Sequence, residues 1–186
     1  SWTKIRSTMD GQVGWVVSKM LTPVSEEAIR LLGERREANG EGVVATPMAV
    51  ATDTKTGEQL ILTIGTRLPY YKKGPFEVLG KKYKINPRCV YEVKGERLEV
   101  KGEDIVRVAQ SLLNVSYLWG GKNIMGYDCS GFTQTVYSVF GINLLRNARE
   151  QVTQGQVVGS LAEAQPGDLV FFDHLDRAPE ATRITH

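Results

Sequence analysis

Cysteine and histidine are scarce in this chain, with two of each among 186 residues. Two cysteines do not make the disulfide framework of a small secreted domain, although Cys89 and Cys129 could pair with each other. No cluster of ligand-type side chains indicates a metal site, and we expect neither a metal nor an organic cofactor. A histidine that takes part in chemistry here must be His174 or His186.

Long apolar runs are also absent. No stretch approaches the roughly 18 apolar residues of a membrane-spanning helix, so we expect no membrane span. The opening residues, SWTKIRST, contain no methionine, signal peptide or lipidation signal. A targeting sequence that had been cleaved before this start would not be visible in the sequence. A net charge of +2 and a pI near 8.5 make the chain weakly basic. Such a charge is compatible with binding to an anionic polymer but does not indicate it, and no nucleic-acid partner is expected.

The first part of the chain is predicted to form a hairpin followed by a connecting helix. Asp10-Gly11 stands between alternating apolar residues in SWTKIRSTMDGQVGWVV, which indicates two short strands joined by a turn. Because two strands are not stable alone, we interpret residues 1–24 as the tail of a domain that begins outside the chain. Residues 25–41 follow as a short helix with Ser25 as its N-cap.

Residues 42–98 have the pattern of a small β-rich module. Short runs such as EQLILTI and FEVLG are separated by turn residues at Thr56-Gly57, Gly74-Pro75, Gly80 and Asn86-Pro87. Several short strands at this spacing suggest a small β-barrel rather than an open sheet. Its many lysines are interpreted as solvated charges on turns and edges, with a basic face as the alternative.

Residues 99–186 are predicted to form an α+β domain. Four apolar residues at helical spacing indicate an amphipathic helix: Ile105, Val108, Ala109 and Leu112. A glycine-rich loop, YLWGGKNIMG, precedes a second predicted helix from Cys129 to Phe140, and RNAREQVTQG predicts a shorter third one. An apolar strand is then predicted at Leu169–Phe172, and the chain ends at RITH.

Cys129 lies at the loop-to-helix junction, in YDCSGF. The free N–H groups at a helix N-terminus favour a thiolate and can stabilise an oxyanion on an attacked carbonyl. Asp128 or Ser130 could cap this helix, and Gly131 allows close approach of another backbone or a ligand. From spacing alone, a nucleophile and a packed cysteine are equally good interpretations. Cys89, in the alternating run RCVYEV, is interpreted as core or strand packing.

A cysteine nucleophile usually needs a histidine that acts first as general base and then as acid. His174 follows the apolar strand in what reads as a variable loop. His186 follows RIT, where a new strand could begin. Either histidine could instead be an ordinary surface residue, which is the commoner situation for a single histidine.

Five motifs occur in one order: YLWGG, DCSGF, RNARE with a nearby glutamine, PGDLVFF and ITH. In this order they resemble the NlpC-type cysteine peptidases, which are papain-like endopeptidases of bacterial cell-wall peptides. The resemblance covers the chain from about Glu103 to its end. The strand-rich part before it resembles the SH3-like modules that often precede such domains, with residues 1–24 as the closing strands of a first module and residues 42–98 as a divergent second one.

The resemblance implies that Cys129 is the nucleophile and that His186, rather than His174, is the catalytic histidine. It places a third polar residue, which orients the imidazole, on the next strand. This sequence stops before that strand, so the peptidase domain is expected to be incomplete at its C-terminal end.

The resemblance also implies substrate-binding residues. Tyr117 matches a tyrosine that contacts substrate near the nucleophile, and Asp128 and Ser130 match residues that hold the D-glutamyl part of a stem peptide. Arg146 could meet the substrate carboxylate, with a surface or capping arginine as the alternative. Asn147 departs from the acid that the family usually has at this position.

In relatives, the SH3-like modules help to bind the free N-terminal L-alanine of the stem peptide through a tyrosine and an acidic residue. Tyr70 and Tyr71, in GTRLPYYKKG, could supply the tyrosine, with barrel packing as the alternative. The acidic partner is expected in the part of the first module that precedes this sequence.

The implied activity is hydrolysis of the bond between γ-D-glutamate and the diamino acid of a peptidoglycan stem peptide. One alternative is an SH3-like peptidoglycan-binding protein with an inactive peptidase domain, and another is an amidase or transferase on the same scaffold. The implied location is the bacterial cell envelope, periplasmic or secreted. An enzyme that recycles released murein peptides would instead be cytoplasmic.

Overall fold

The computed structural model describes residues 1–39, 41–93, 100–173, 184 and 186, without the side chains of residues 35–39. A hairpin and a helix come first in the chain. A strand-rich region, residues 41–93, and a helical region, residues 100–173, follow. The described fold is therefore mixed α and β, and every pairing between its named strands is antiparallel.

The N-terminal hairpin consists of β1 (Trp2–Arg6) and β2 (Val13–Val17), with Trp2 opposite Val17. Gly11 lies in the connecting turn at a φ of 72°, where a residue with a side chain would be strained. The hairpin predicted at Asp10-Gly11 is thus confirmed.

The helix α1 (Glu26–Asn39) begins where its capping residue predicts. The Ser25 hydroxyl accepts a hydrogen bond from the Ala28 N–H at 3.1 Å, which confirms Ser25 as the N-cap. Glu26 and Glu27 lie in the first turn, where negative charge favours the helix dipole. No helix in the described part of the chain is both long and apolar enough to cross a membrane.

Seven strands make up the strand-rich region: β3 (Glu41–Val44), β4 (Met48–Asp53), β5 (Gln59–Thr63), β6 (Arg67–Leu68), β7 (Pro75–Val78), β8 (Lys81–Ile85) and β9 (Val90–Val93). They form a three-stranded sheet in the order β6-β3-β9 and a four-stranded sheet in the order β5-β4-β8-β7. Gly57 and Gly80 have positive φ angles in the turns before β5 and β8, as the predicted turn positions require.

Alternating side chains of these strands enclose one apolar core. In β8 the residues Tyr83 and Ile85 are buried while Lys82 and Lys84 are exposed, which is the period-two pattern of a half-buried strand. Phe76 stacks on Tyr83 with ring centroids 5.4 Å apart. Among the described residues no ladder joins the two sheets into a closed barrel, so the SH3-like barrel stays a prediction.

The helical region contains α2 (Gly102–Gln110), β10 (Lys122–Asn123), β11 (Gly126–Tyr127), α3 (Cys129–Val139) and α4 (Ala148–Gln151). The three predicted helices are confirmed, and the apolar residues predicted on the first of them pack into a core with α3. The prediction of a strand at Leu169–Phe172 is wrong, because these described residues do not form one, and pairing begins only at the end of the segment. There Phe172 and His186 exchange backbone hydrogen bonds of 2.9 and 3.4 Å.

The strand-rich region packs directly against α3. Ile64 is buried in the core of the helical region, and the Tyr91 ring meets the Phe140 ring edge-on at 4.9 Å. A Cβ on Gly65 would lie 3.2 Å from the Ser138 hydroxyl, so the turn before β6 lies close against the helix. The helix that begins at Cys129 is therefore supported near its C-terminal end by the strands.

Candidate active site around Cys129

Cys129 is the first residue of α3, and its thiol is free and partly exposed. Asp128 is the N-cap, and its Oδ1 accepts a hydrogen bond from the Gly131 N–H at 2.6 Å. An acidic cap satisfies one of the free N–H groups of the first turn and orders the helix start. The thiol therefore lies at the positive end of a well-capped helix of 11 residues.

The Asp128 carboxylate also ties together the loop before the helix and the segment after it. Its Oδ2 accepts from the Gly120 N–H at 3.0 Å. The Arg146 guanidinium binds it in a bidentate manner, with Nη1 to Oδ1 at 3.0 Å and Nη2 to Oδ2 at 2.6 Å. Burial acts to raise the pKa of Asp128, but these hydrogen bonds outweigh burial and the pKa lies below its ordinary value.

Ser130 and Gln151 fix the segment around α4 against α3. The buried Ser130 hydroxyl accepts a hydrogen bond from Arg146 Nη1 at 3.0 Å. The Gln151 side chain donates to the carbonyls of Ser130 and Leu145, at 3.0 and 2.8 Å, and accepts from the Thr133 hydroxyl at 2.8 Å. The nearby glutamine of the RNARE motif is therefore a structural link in this region.

Two glycines let the backbone segments around Cys129 approach one another. A Cβ on Gly131 would lie 2.3 Å from the Gly121 carbonyl oxygen, and a Cβ on Gly121 would lie 2.5 Å from the Gly126 carbonyl oxygen. No other residue type fits these contacts without a backbone shift. The close approach predicted at Gly131 is confirmed, and the neighbouring backbone is that of the glycine-rich loop.

Tyr117 lies at the exposed side of this cluster. Its backbone bridges to Tyr127, and 57% of its surface is exposed. Desolvation raises the pKa of Tyr117, and the charges of Cys129 and Asp128 add to this effect. The structure thus brings together five residues singled out from the sequence: Tyr117, Asp128, Cys129, Ser130 and Arg146.

His186 is exposed, and its backbone is paired with Phe172. A further antiparallel bridge joins Asp173 to Ile184. The role of His186 as catalytic base stays a prediction. The competing candidate, His174, lies outside the described residues.

Tyr71 belongs to the strand-rich region. It packs against the apolar core of that region, and a Cβ on Gly42 would lie 2.6 Å from the Tyr71 ring. Its neighbour Tyr70 has a φ of 56° in the same turn. This placement favours the packing interpretation for Tyr71, and the substrate-binding roles of both tyrosines stay predictions.

The tip of the N-terminal hairpin reaches this site, a contact that no sequence pattern predicted. The Gln134 amide of α3 donates to the Asp10 carboxylate at 3.1 Å, and the Lys122 ammonium donates to the Met9 sulfur at 3.3 Å. Hydrogen bonds from Ser7, Gln134 and Gln12 outweigh burial, so the pKa of Asp10 lies below its ordinary value. Asp10-Gly11 indicates a turn, but its residue types carry no information on where that turn docks.

Comparison with known proteins finds a match to a protein family over the segment that contains Cys129. Residues 114–186 match the model of the NlpC/P60 family. Over 175 residues the chain is 29% identical to a Bacillus cereus protein named gamma-D-glutamyl-L-lysine dipeptidyl-peptidase, covering 89% of this chain and 50% of that protein. Over 70 residues it is 47% identical to a Listeria seeligeri protein named probable endopeptidase p60, covering 38% of this chain and 13% of that protein. The chain therefore spans half or less of the length of these relatives.

Solved structures share the fold. The crystal structure of an NlpC/P60 family protein from Bacillus cereus superimposes with a TM-score of 0.73 and 26% identity, covering 93% of this chain and 60% of that one. An NlpC/P60 endopeptidase from Photobacterium damselae has the same fold at a TM-score of 0.59 and 22% identity, covering 81% of this chain and 33% of that one. The mixed α and β fold is thus shared with NlpC/P60 structures.

Proposed function

We propose that this protein is a cysteine peptidase that hydrolyses the γ-D-glutamyl–diamino acid bond of peptidoglycan stem peptides. One observation carries the proposal: a partly exposed thiol, Cys129, begins an aspartate-capped helix inside the segment that matches the NlpC/P60 family. The name of the Bacillus cereus relative supports the choice of bond.

In the proposed reaction the Cys129 thiolate attacks the γ-carbonyl carbon of the D-glutamyl residue, after its proton has passed to His186. The first N–H groups of α3 have no carbonyl partner within the helix, and those of Cys129 and Ser130 are the oxyanion donors. The protonated His186 gives its proton to the departing amine of the diamino acid. Water deprotonated by the same histidine then hydrolyses the thioester and releases the dipeptide and the free thiol.

The substrate residues of this proposal are Tyr117, Asp128, Ser130 and Arg146, with Tyr70 and Tyr71 at the strand-rich region. The Asp10 carboxylate, which belongs to the hairpin, is an acidic group beside this cluster. It supplies the negative charge that recognition of a free N-terminal L-alanine requires. Residues 1–24 and 42–98 are then parts of SH3-like modules, and the enzyme works in the bacterial cell envelope, or in the cytoplasm if it recycles released peptides.

Hydrolysis of defined tripeptides tests the proposal. The purified protein is incubated with L-Ala-γ-D-Glu-L-Lys and with the diaminopimelate analogue, and the products are identified by mass spectrometry. Release of L-Ala-γ-D-Glu by the wild type and not by Cys129→Ala is the expected result. An intact tripeptide sinks the proposal. Protein that sediments with peptidoglycan but leaves the tripeptide intact would instead indicate the binding module, and products of other bonds would indicate an amidase or transferase.

A further inference from the structure

Lys122 is a half-buried cation with a poor hydrogen-bond partner. It lies on β10, within the glycine-rich loop, opposite Tyr127 on the strand that leads to Asp128. Its ammonium donates to the Met9 sulfur at 3.3 Å, and a thioether is a weak acceptor. Within the described residues no carboxylate lies within 4.0 Å of this ammonium. Lys122 therefore bears part of the cost of desolvation without a paired anion.

The charged groups around Lys122 already have better partners. Both Nη groups of Arg146 are held by Asp128, and the Asp10 carboxylate accepts hydrogen bonds from Gln134 and Gln12. Burial lowers the pKa of Lys122, with the Arg146 charge acting in the same direction and the Asp10 charge opposing it. An anion that enters this cluster would therefore meet the Lys122 ammonium without a carboxylate already bound to it.

The cluster is continuous with the nucleophile. Arg146 binds Asp128, the residue before the nucleophile, at 2.6 and 3.0 Å, and Ser130, the residue after it, at 3.0 Å. The segment of β10 and β11 that carries Lys122 runs into Asp128 and Cys129. An anionic group on the residue that Cys129 attacks would lie in the same charged surroundings.

We propose that Lys122 is a specificity-determining residue that binds the α-carboxylate of the γ-linked D-glutamyl residue. The enzyme would therefore favour the free acid over the α-amide, D-isoglutamine. This inference rests on the proposed function. A carboxylate gives Lys122 a charge-assisted hydrogen bond in place of the thioether, whereas an amide gives it only a neutral carbonyl oxygen.

Two tripeptides that differ only at this group test the inference. L-Ala-γ-D-Glu-L-Lys and its D-isoglutamine analogue are compared by kcat/KM in the wild type, in Lys122→Met and in Lys84→Met. Methionine keeps the apolar stem and removes the charge, and Lys84 is an exposed lysine of the strand-rich region. We expect the wild type and Lys84→Met to prefer the acid by about 10- to 100-fold, the scale of one hydrogen bond to a charged group.

In Lys122→Met the preference is expected to fall to about threefold or less, through loss of kcat/KM on the acid alone. If Lys122→Met keeps the preference, or loses activity equally on both peptides, the inference is wrong and Lys122 serves only to dock the hairpin. Calorimetric binding of the two tripeptides to Cys129→Ala, with and without Lys122→Met, separates the two proposals. Binding that favours the acid and depends on Lys122, without any cleavage by the wild type, would overturn the peptidase activity and leave the anion site standing.

Discussion

The strand-rich and helical regions bury polar groups to very different extents. The strand-rich region has an apolar core, and its one buried polar residue among those described is Asp53. The described part of the helical region buries six: Asp128, Ser130, Gln134, Thr135, Ser138 and Gln151. Five of these lie on α3 or cap it. Because a buried polar group costs free energy unless it is paired, this concentration marks the helix that begins at Cys129 as more than a packing element.

The two buried aspartates show the same difference at the level of one side chain. Asp53 accepts from the N–H groups of Lys55 and Thr56, at 2.7 and 3.1 Å, and does no more than close a turn. Asp128 makes comparable backbone bonds and also binds Arg146. Each region also contains one of the two cysteines. Cys89 packs against the apolar core of the strand-rich region, and Cys129 begins α3 in the helical region.

The largest expected effect separates the two cysteines. Cys129→Ala is expected to reduce hydrolysis of the γ-D-glutamyl tripeptide by at least about 10³-fold, because it removes the nucleophile. Cys89→Ala is expected to leave the rate unchanged, because Cys89 packs against the apolar core of the strand-rich region. Initial rates of dipeptide release, followed by mass spectrometry, measure both. Equal rates for Cys129→Ala and the wild type would remove Cys129 from the mechanism.

The local features of this comparison could be predicted from the sequence. The Asp10-Gly11 turn, the Ser25 cap and the helix that begins at Cys129 all follow from residue types within a few positions of one another. Such signals depend on backbone propensity and on short hydrogen bonds, which neighbouring residues determine. The position of the thiol at a helix start therefore follows from the residues on either side of Cys129.

The second expected effect concerns the stability of the helix start. Asp128→Asn is expected to lower the free energy of unfolding by about 3 kcal/mol, because it leaves the Arg146 charge largely buried without its partner. The side chains of Asp128 and Arg146 are only 10% and 18% exposed. Asp53→Asn is expected to lower the free energy of unfolding clearly less. Among the described residues no cationic side chain lies within 4.0 Å of the Asp53 carboxylate, so the substitution leaves no charge unpaired.

Urea unfolding of the two variants measures this difference. An Asp128→Asn loss no larger than that of Asp53→Asn would show that the Arg146 pair contributes little beyond the backbone hydrogen bonds. Arg146→Met is the complementary variant, and it should destabilise less than Asp128→Asn. The Asp128 carboxylate keeps its bonds to Gly120 and Gly131 in that variant, so no buried charge is left without hydrogen bonds.

Long-range contacts of the site could not be predicted in this way. The sequence motifs single out both Asp128 and Arg146, but no periodic pattern indicates that they bind each other. The contacts of Met9 with Lys122 and of Asp10 with Gln134 join residues more than 100 positions apart. They depend on how the hairpin docks against the helical region, and that docking follows from packing of the whole chain rather than from local propensity.

The third expected effect is a loss of stability in acid. The pKa of Asp128 in the folded protein lies below its ordinary value near 3.9. The unfolded chain therefore binds the proton more readily than the folded one. The contribution of Asp128 is complete above that ordinary value and is lost as the pH falls through the lower pKa of the folded state.

Unfolding free energies measured between neutral pH and the acid limit of solubility test this dependence. The unfolding free energy should fall less steeply with decreasing pH in Asp128→Asn than in the wild type. Asp53→Asn should also flatten it, because hydrogen bonds from Lys55 and Thr56 lower the pKa of Asp53. The flattening should be larger for Asp128, which has the additional bonds from Arg146. Superimposable curves for Asp128→Asn and the wild type would contradict the assignment.

The smallest expected effect compares two threonines of α3. The single proton of the Thr133 hydroxyl has two acceptors within reach, the Gln151 side-chain oxygen at 2.8 Å and the Ser130 carbonyl at 3.0 Å. The buried Thr135 hydroxyl has no partner among the described residues. Valine has nearly the shape of threonine and is β-branched as well, so helix propensity changes little.

Thr133→Val should therefore cost about 1 kcal/mol of unfolding free energy, the worth of an ordinary hydrogen bond, and leave the Gln151 oxygen short of a donor. Thr135→Val removes a buried hydroxyl without breaking a described bond, and it should leave the stability unchanged or raise it by up to about 1 kcal/mol. The two variants change the same atoms two residues apart on one helix, and the two sites differ in hydrogen bonding and in burial. If Thr135→Val is as destabilising as Thr133→Val, the Thr135 hydroxyl has a hydrogen-bond partner in solution. The polar groups buried on α3 would then be more fully paired than the structure shows.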